Sequence, residues 1–183
     1  MRINCSDHLA CSKQRGFTFF ELVVVISIIS VLAVVALNYY YKLLVDVERT
    51  SMEHDLGVMR SAISLQVASY YVAGNMAGLK GLADSNPMDL LVEKPNNYLG
   101  VISHYKLEDI EKGSWFYDSH AQLLIYMVRN QIYFETALQE PARIQFKISP
   151  VYSDKKQRGK VTKYISGLTL KELEPYRWLR PWG

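Results

Sequence analysis

An uncharged apolar run near the amino terminus constrains this chain more than any other feature. The run extends from Leu22 to Leu37, and a single carboxylate, Glu21, stands immediately before it. Such a run is typical of a helix that crosses a membrane. An ionisable side chain at the start of a membrane helix is costly to remove from water, so Glu21 indicates a functional role and requires a partner.

Basic residues dominate the segment before Gly16. Arg2, Lys13 and Arg15 outnumber the single acid, Asp7. Positive charge directly upstream of an apolar span keeps the amino terminus in the cytoplasm and sends the rest of the chain across the membrane. A secretory signal peptide also begins with basic residues, but its small-residue cleavage site follows the apolar stretch. In this chain the small residue precedes that stretch.

The sequence Gly16-Phe17-Thr18, followed by Glu21 and the apolar run, resembles the class III leader of type IV prepilins and type II secretion pseudopilins. The resemblance implies that a membrane-embedded prepilin peptidase cleaves after Gly16 and methylates the new amino terminus at Phe17. It also implies assembly into a filament, in which Glu21 pairs with the Phe17 amine of a neighbouring subunit. The expected partners are other pilin subunits and an inner-membrane assembly platform.

Four segments follow from the resemblance and the residue pattern. Residues 1–16 are the expected cytoplasmic leader, and 17–41 are the membrane-spanning half of one helix, which also forms the filament core. Residues 42–73 are the amphipathic half of that helix, and 74–183 are a globular head that forms one domain with it. The protein is expected to be a single-pass inner-membrane protein with its head in the periplasm, and part of a periplasmic or extracellular filament after assembly.

Apolar residues recur at steps of three and four beyond the membrane interface. This spacing, from Met52 to Tyr70, is that of an amphipathic helix. A single helix from Phe17 to about Val72 is therefore predicted. Asn38 stands where many members of the family have a proline, so the kink common in this helix is in doubt, although local melting there stays open.

The head is predicted to pack an antiparallel sheet of about four strands on this helix, in an α+β, pilin-like fold. The runs Gly113–Tyr117 and Gln122–Val128 predict a hairpin, and the strict alternation of Arg143–Ser149 predicts a strand with one buried face. A last strand is expected at about Val161–Leu170. Glycine and proline punctuate Gly74–Asn97, which predicts loops and one short helix beginning at Pro87.

No spacing typical of a catalytic or metal site is present. His54, His104 and His120 are scattered, and no Gly-rich loop with a following lysine indicates a phosphate site. Glu172 and Glu174 lack the alternating acids that calcium loops favour. We therefore expect no enzyme activity, no cofactor and no metal. An anchored periplasmic enzyme or binding module is kept as the rival class.

Both cysteines, Cys5 and Cys11, lie in the expected leader, so residues 17–183 hold no disulfide. Many major pilins contain a disulfide in the carboxyl-terminal part of the head. Its absence favours a minor pilin or a pseudopilin, and a pilus of the mannose-sensitive haemagglutinin type is one candidate system.

The strongest basic cluster of the chain is interpreted as a solvated hairpin loop between the last two strands. The alternative is a phosphate-binding patch of the kind a DNA-uptake pseudopilin needs, with Tyr152 and Tyr164 available to stack on bases. The net charge of only +3 does not by itself indicate a nucleic acid partner. The cluster comprises Lys155, Lys156, Arg158, Lys160 and Lys163.

The carboxyl-terminal segment holds two of the three tryptophans, Trp178 and Trp182, next to arginines. Exposed tryptophan beside arginine is typical of contact surfaces. The two residues can equally fold back to cover the sheet or the long helix, and the sequence leaves both interpretations open.

Overall fold

A computed structural model of the protein describes residues 16–75, 78–157 and 160–179, with the backbone alone described for 155–157 and 160–162. The chain divides into two compact units, Met1–Tyr41 and Lys42–Gly183. In chain order the elements are α1 Phe19–Val72, α2 Gly78–Ala83, β1 Tyr98–Ile102, β2 Trp115–Asp118, β3 Leu123–Met127, β4 Phe134–Thr136, β5 Arg143–Gln157, β6 Lys160–Glu172 and β7 Tyr176–Trp178. Single 3₁₀ turns occupy Pro87–Leu90, Leu107–Asp109 and Gln131–Tyr133.

The long helix is confirmed, but it begins at Phe19 and not at the predicted Phe17. The physical reason is a cap, because the Thr18 hydroxyl oxygen accepts a hydrogen bond from the backbone N–H of Glu21 at 3.2 Å. A threonine in this position satisfies one of the free N–H groups of the first turn and sets the start of the helix. The helix then runs through Asn38 without a break, so no local melting is seen there.

Five strands form the main sheet of the head, in the order β1-β2-β3-β5-β6. β1 and β2 are parallel, and the other pairs are antiparallel. β4 and β7 form a separate antiparallel pair. The predicted α+β layout, a long helix on a mostly antiparallel sheet, is confirmed. The sheet has five strands where about four were predicted, and β1 joins it by a parallel pairing that the sequence pattern did not indicate.

The amphipathic part of α1 covers one face of the main sheet. Met52, Leu56, Met59 and Ile63 are almost fully buried against strand residues. Full burial of side chains of this size stabilises a fold by about 1.5–3 kcal/mol each. The strand residues of the same core include Trp115, Leu124, Ile144, Phe146, Ile148 and Leu170.

The opposite face of the sheet is covered as well. Phe116, Ile125 and Met127 pack there against residues of the connection between β1 and β2, among them Tyr105 and Ile110. This second layer explains a deviation from the predicted pattern. The side chains of Arg143, Gln145 and Lys147, which were expected to face solvent, are half-buried, whereas Ile144, Phe146 and Ile148 are buried as predicted.

The predicted hairpin of β2 and β3 is confirmed. The short helix predicted to begin at Pro87 is the 3₁₀ turn Pro87–Leu90, and the Asn86 side chain caps it by accepting from the Met88 N–H at 3.1 Å. The region predicted as loops up to Asn97 also contains α2, which the sequence pattern did not indicate. β6 is longer than the predicted Val161–Leu170 and is not the last strand, because β7 follows it.

Candidate functional site

The amino-terminal segment is built around the start of α1. Gly16, Phe17 and Thr18 have non-helical backbone, and the first helical residue is Phe19. Glu21 lies in the first turn, where a negative charge is favoured by the partial positive charge of the helix start. The Gly16–Phe17 peptide therefore lies just ahead of a capped helix and outside it. Residues 1–15, including Cys5 and Cys11, lie outside the described residues.

The apolar part of α1 is long and apolar enough to cross a membrane, and none of its most apolar stretch is buried inside the structure. Its two serines leave no hydroxyl group unpaired. Ser27 donates to the Val23 carbonyl at 2.8 Å, and Ser30 donates to the Ile26 carbonyl at 2.7 Å. Because a bilayer core offers no water to polar groups, this internal pairing suits a helix in lipid.

Residues 11–37 match the family model of the prokaryotic N-terminal methylation motif. The chain carries a class III prepilin leader. The motif supports a type IV pilin or pseudopilin, a family that is structural rather than catalytic. No curated protein matches the chain, and no solved structure matches it either. The head therefore has to be interpreted from its own contacts.

Glu48 accepts four hydrogen bonds within the head, and the sequence analysis missed it. One carboxylate oxygen accepts from the Tyr126 hydroxyl at 3.2 Å and from the Arg129 backbone N–H at 2.6 Å. The other oxygen accepts from the backbone N–H and the side-chain amide of Asn130, at 2.9 and 2.6 Å. These bonds attach the chain that leaves β3 to α1.

A signal for this contact is present in the sequence. Glu48 lies between Val45 and Met52 on the buried stripe of α1, and an acid on an apolar face needs buried donors. A cleft of about 500 Å³ borders Glu48 and reaches Asp55 and Asn97. The Glu48 oxygens already accept four hydrogen bonds, so the carboxylate stabilises the fold and is a poor candidate for ligand binding.

A second polar contact joins α1 to the core of the sheet. The indole Nε1 of Trp115 donates to the Asp55 carboxylate at 2.9 Å. Burial raises the pKa of Asp55, and the hydrogen bond from Trp115 opposes that rise. Asp55 is half-buried, and this contact joins α1 to the fully buried Trp115.

The remaining candidates for chemistry are dispersed. His54, His104 and His120 are exposed, and so are Glu172 and Glu174. Within the part of the chain that the structure describes, no group of three His, Cys, Asp or Glu side chains is arranged to hold a metal ion.

The basic cluster does not lie in a loop, as predicted, but mostly in strands. β5 and β6 remain paired along this cluster. Lys155 is opposite Thr162, and Gln157 is opposite Lys160. Lys163 is exposed. Arg158 lies outside the described residues. The prediction placed these lysines in a loop because it ended the strands too early, whereas the pairing of β5 with β6 continues to Gln157 and Lys160.

Trp178 folds back onto the head. It is buried, and its ring contacts Phe134 edge to face with 5.0 Å between the ring centroids. Of the two interpretations, the covering role therefore holds for Trp178. Trp182 lies outside the described residues.

Proposed function

We propose that this protein is a structural subunit of a type IV pilus or of a type II secretion-like filament. Prepilin peptidase removes residues 1–16 by cleaving between Gly16 and Phe17, and Phe17 is then N-methylated. The match of residues 11–37 to the methylation motif is the observation that carries this proposal. The non-helical backbone at Gly16 and Phe17 supports it further, because a protease needs a substrate peptide that is not held in a helix.

Residues 17–41 hold the subunit in the inner membrane before assembly, with the head in the periplasm. An inner-membrane assembly platform then moves subunits into the filament. The apolar side chains of this segment support the proposal, since those that the structure describes are exposed. Lipid covers them first, and neighbouring subunits cover them in the filament.

The proposed assembly contact pairs Glu21 with the Phe17 amine of a neighbouring subunit. Cleavage creates this amine at Phe17, two residues before α1 begins, and Glu21 lies in the first turn of the same helix. An ion pair in an apolar bundle leaves a severe penalty when one partner is missing. The contact therefore selects one register of subunits, and Thr18 contributes by fixing where the helix begins.

Within this class, a minor pilin or pseudopilin is favoured over a major pilin. Both cysteines precede the proposed cleavage point, so the processed subunit has no disulfide to close a loop of the head. A subunit of a mannose-sensitive haemagglutinin type of pilus fits the same features.

Incorporation into filaments tests the proposed contact. Glu21→Ala is expected to be processed normally yet to enter sheared filaments poorly, while the matched control Glu53→Ala, which removes an exposed acid of the same helix, is expected to enter normally. Normal incorporation of Glu21→Ala would refute the charge pair. If the wild-type chain entered no filament in any condition that supports filament assembly, the anchored enzyme or binding module would be favoured instead.

A further inference from the structure

A second cleft of the head, of about 430 Å³, lies between α1 and β7. It shares no lining residue with the cleft beside Glu48. We call it the arginine cleft, because three of its lining side chains are arginines. The charged residues that line it are Arg49, Glu53, Arg60, Glu172 and Arg177, and the wall also includes Pro175, Tyr176 and Trp178.

Trp178 brings an unpaired hydrogen-bond donor to the arginine cleft. Its side chain is buried, with 8% exposed, and its indole Nε1 has no acceptor among the residues that the structure describes. The indole of Trp115, by contrast, donates to Asp55 at 2.9 Å. Buried polar groups nearly always have a partner, and a donor without one makes the fold less stable. An acceptor bound in the cleft beside Trp178 would supply this partner.

The arginine cleft also contains a guanidinium group that is available to a ligand. Arg49 pairs with Glu53 at 2.8 Å, and Arg177 pairs with Glu135 at 3.3 Å. Arg60 forms no ion pair and no hydrogen bond with the residues that the structure describes. A guanidinium group binds carboxylates and phosphates through charge-assisted hydrogen bonds. The free donors of the cleft therefore favour an anionic ligand.

The acidic residues of the arginine cleft limit the charge of that ligand. Burial raises the pKa of Tyr176, Glu172 raises it further, and Arg60 lowers it. Arg60 and Glu172 thus both lie near the Tyr176 hydroxyl group. Glu53 and Glu172 repel a ligand with two negative charges more strongly than a ligand with one. A carboxylate has one negative charge and two acceptor oxygens, which suits one free guanidinium group and one free indole N–H.

We propose that the arginine cleft binds a carboxylate group, whose oxygens accept from the Arg60 guanidinium and from Trp178 Nε1. The carboxylate belongs either to a small free acid or to an acidic side chain of another copy of this chain, and both sources present the same group to the cleft. The proposal does not depend on the filament function.

The indole N–H signals in an NMR titration test the proposal. The full-length chain is labelled with ¹⁵N and held in nonionic detergent micelles, and sodium acetate replaces sodium chloride at constant ionic strength. The Trp178 signal is expected to shift and to saturate as acetate rises. The Trp115 signal is the internal control and is expected to stay in place, because its N–H already has an acceptor. Acetamide, which lacks the charge, is expected to leave both signals unchanged.

Three variants identify the groups that bind acetate, followed at the backbone amide of Arg177. Arg60→Gln is expected to weaken acetate binding about 10-fold or more, as for the loss of a charge-assisted hydrogen bond. Trp178→Phe is expected to weaken acetate binding as well, yet to be no less stable than wild type without acetate, because the unpaired donor is gone. Lys106→Gln, which removes an exposed positive charge outside the cleft, is expected to bind acetate normally.

A dilution series separates the two sources of the carboxylate. A Trp178 signal that moves on dilution without acetate, and that acetate restores, assigns the carboxylate to another copy of the chain. A signal that responds to acetate alone assigns it to a free acid. The proposal is overturned if neither acetate nor dilution moves the Trp178 signal, or if acetamide acts like acetate. It is also overturned if Arg60→Gln binds acetate as tightly as Lys106→Gln does.

Discussion

Replacing Glu48 by glutamine tests the contact that joins α1 to the end of β3. The substitution keeps the size of the side chain, but glutamine has one acceptor oxygen where Glu48 has two. The four donors that now bond to two oxygens would have only one. Two of those donors adapt, because the Tyr126 hydroxyl can rotate and the Asn130 amide can flip to accept from the new NH2 group. The backbone N–H groups of Arg129 and Asn130 cannot adapt, so one of them loses its partner.

The expected loss of stability follows from the number of backbone N–H groups that are left without a partner. A buried donor left without a partner costs about 1–3 kcal/mol, so Glu48→Gln is expected to lower the free energy of unfolding by about 2 kcal/mol. Glu48→Ala leaves both backbone N–H groups unpaired and is expected to cost about 3–4 kcal/mol on the same basis. Both N–H groups are only part-buried and lie beside the cleft, which keeps these values from being larger.

Chemical denaturation of the full chain in detergent micelles measures the change, and hydrogen exchange at Arg129 and Asn130 localises it. Glu53→Gln is the control, because Glu53 forms an exposed pair with Arg49 at 2.8 Å on the same helix. Exposed helix pairs of this kind contribute about 0.3–0.5 kcal/mol. A Glu48→Gln variant as stable as this control, with both amides still protected, would refute the assigned role of Glu48.

The other predictions concern the cap, the indole contact and two linked titrations. Thr18→Val is expected to speed hydrogen exchange at the Glu21 amide by the loss of about 1 kcal/mol, while Thr18→Ser retains protection; equal exchange in both would contradict the cap. Trp115→Phe removes the donor that opposes the effect of burial on Asp55, so the pKa of Asp55, followed by NMR, is expected to rise further. Burial raises the pKa of Asp118, but the Ala121 amide, the Tyr105 hydroxyl and the His120 amide lower it below its usual range. Stability from Asp118 is therefore present above the ordinary aspartate pKa and is lost as the pH falls through the lower folded value, and Asp118→Asn is expected to remove this part of the acid sensitivity. Burial, followed by the bond to Asp118, raises the pKa of Tyr105 to about 12, so stability is lost as the pH rises from the ordinary tyrosine value towards 12, and unfolding curves of Tyr105→Phe are expected to lack that loss.

Long segments with a repeating residue pattern were predictable from the sequence, whereas the short strands and the helix cap were not. The helix to Val72 and the strand at Arg143 repeat their pattern over several turns or residues, so their type follows from periodicity alone. β1, β4 and β7 are set by pairing with residues far away in the chain. The two-residue error at the start of α1 came from overlooking Thr18 as a capping residue.

The candidate site divides in the same way. The Gly16-Phe17-Thr18 sequence and Glu21 lie close together in the chain, and they predicted the methylation motif that residues 11–37 match. The contacts of Glu48 and Asp55 depend on Arg129, Asn130 and Trp115, which the fold brings from distant parts of the sequence. Even so, an acid within a buried helical stripe is a signal that merits a search for donors.

The amino-terminal residue of the protein made together with prepilin peptidase tests the central claim most directly. Mass spectrometry of the membrane-extracted chain is expected to find a peptide that begins at methylated Phe17 when the peptidase is present, and the uncleaved leader when it is absent. An amino terminus that is the same with and without the peptidase, or cleavage on the carboxyl side of the apolar run, would contradict the proposed filament subunit.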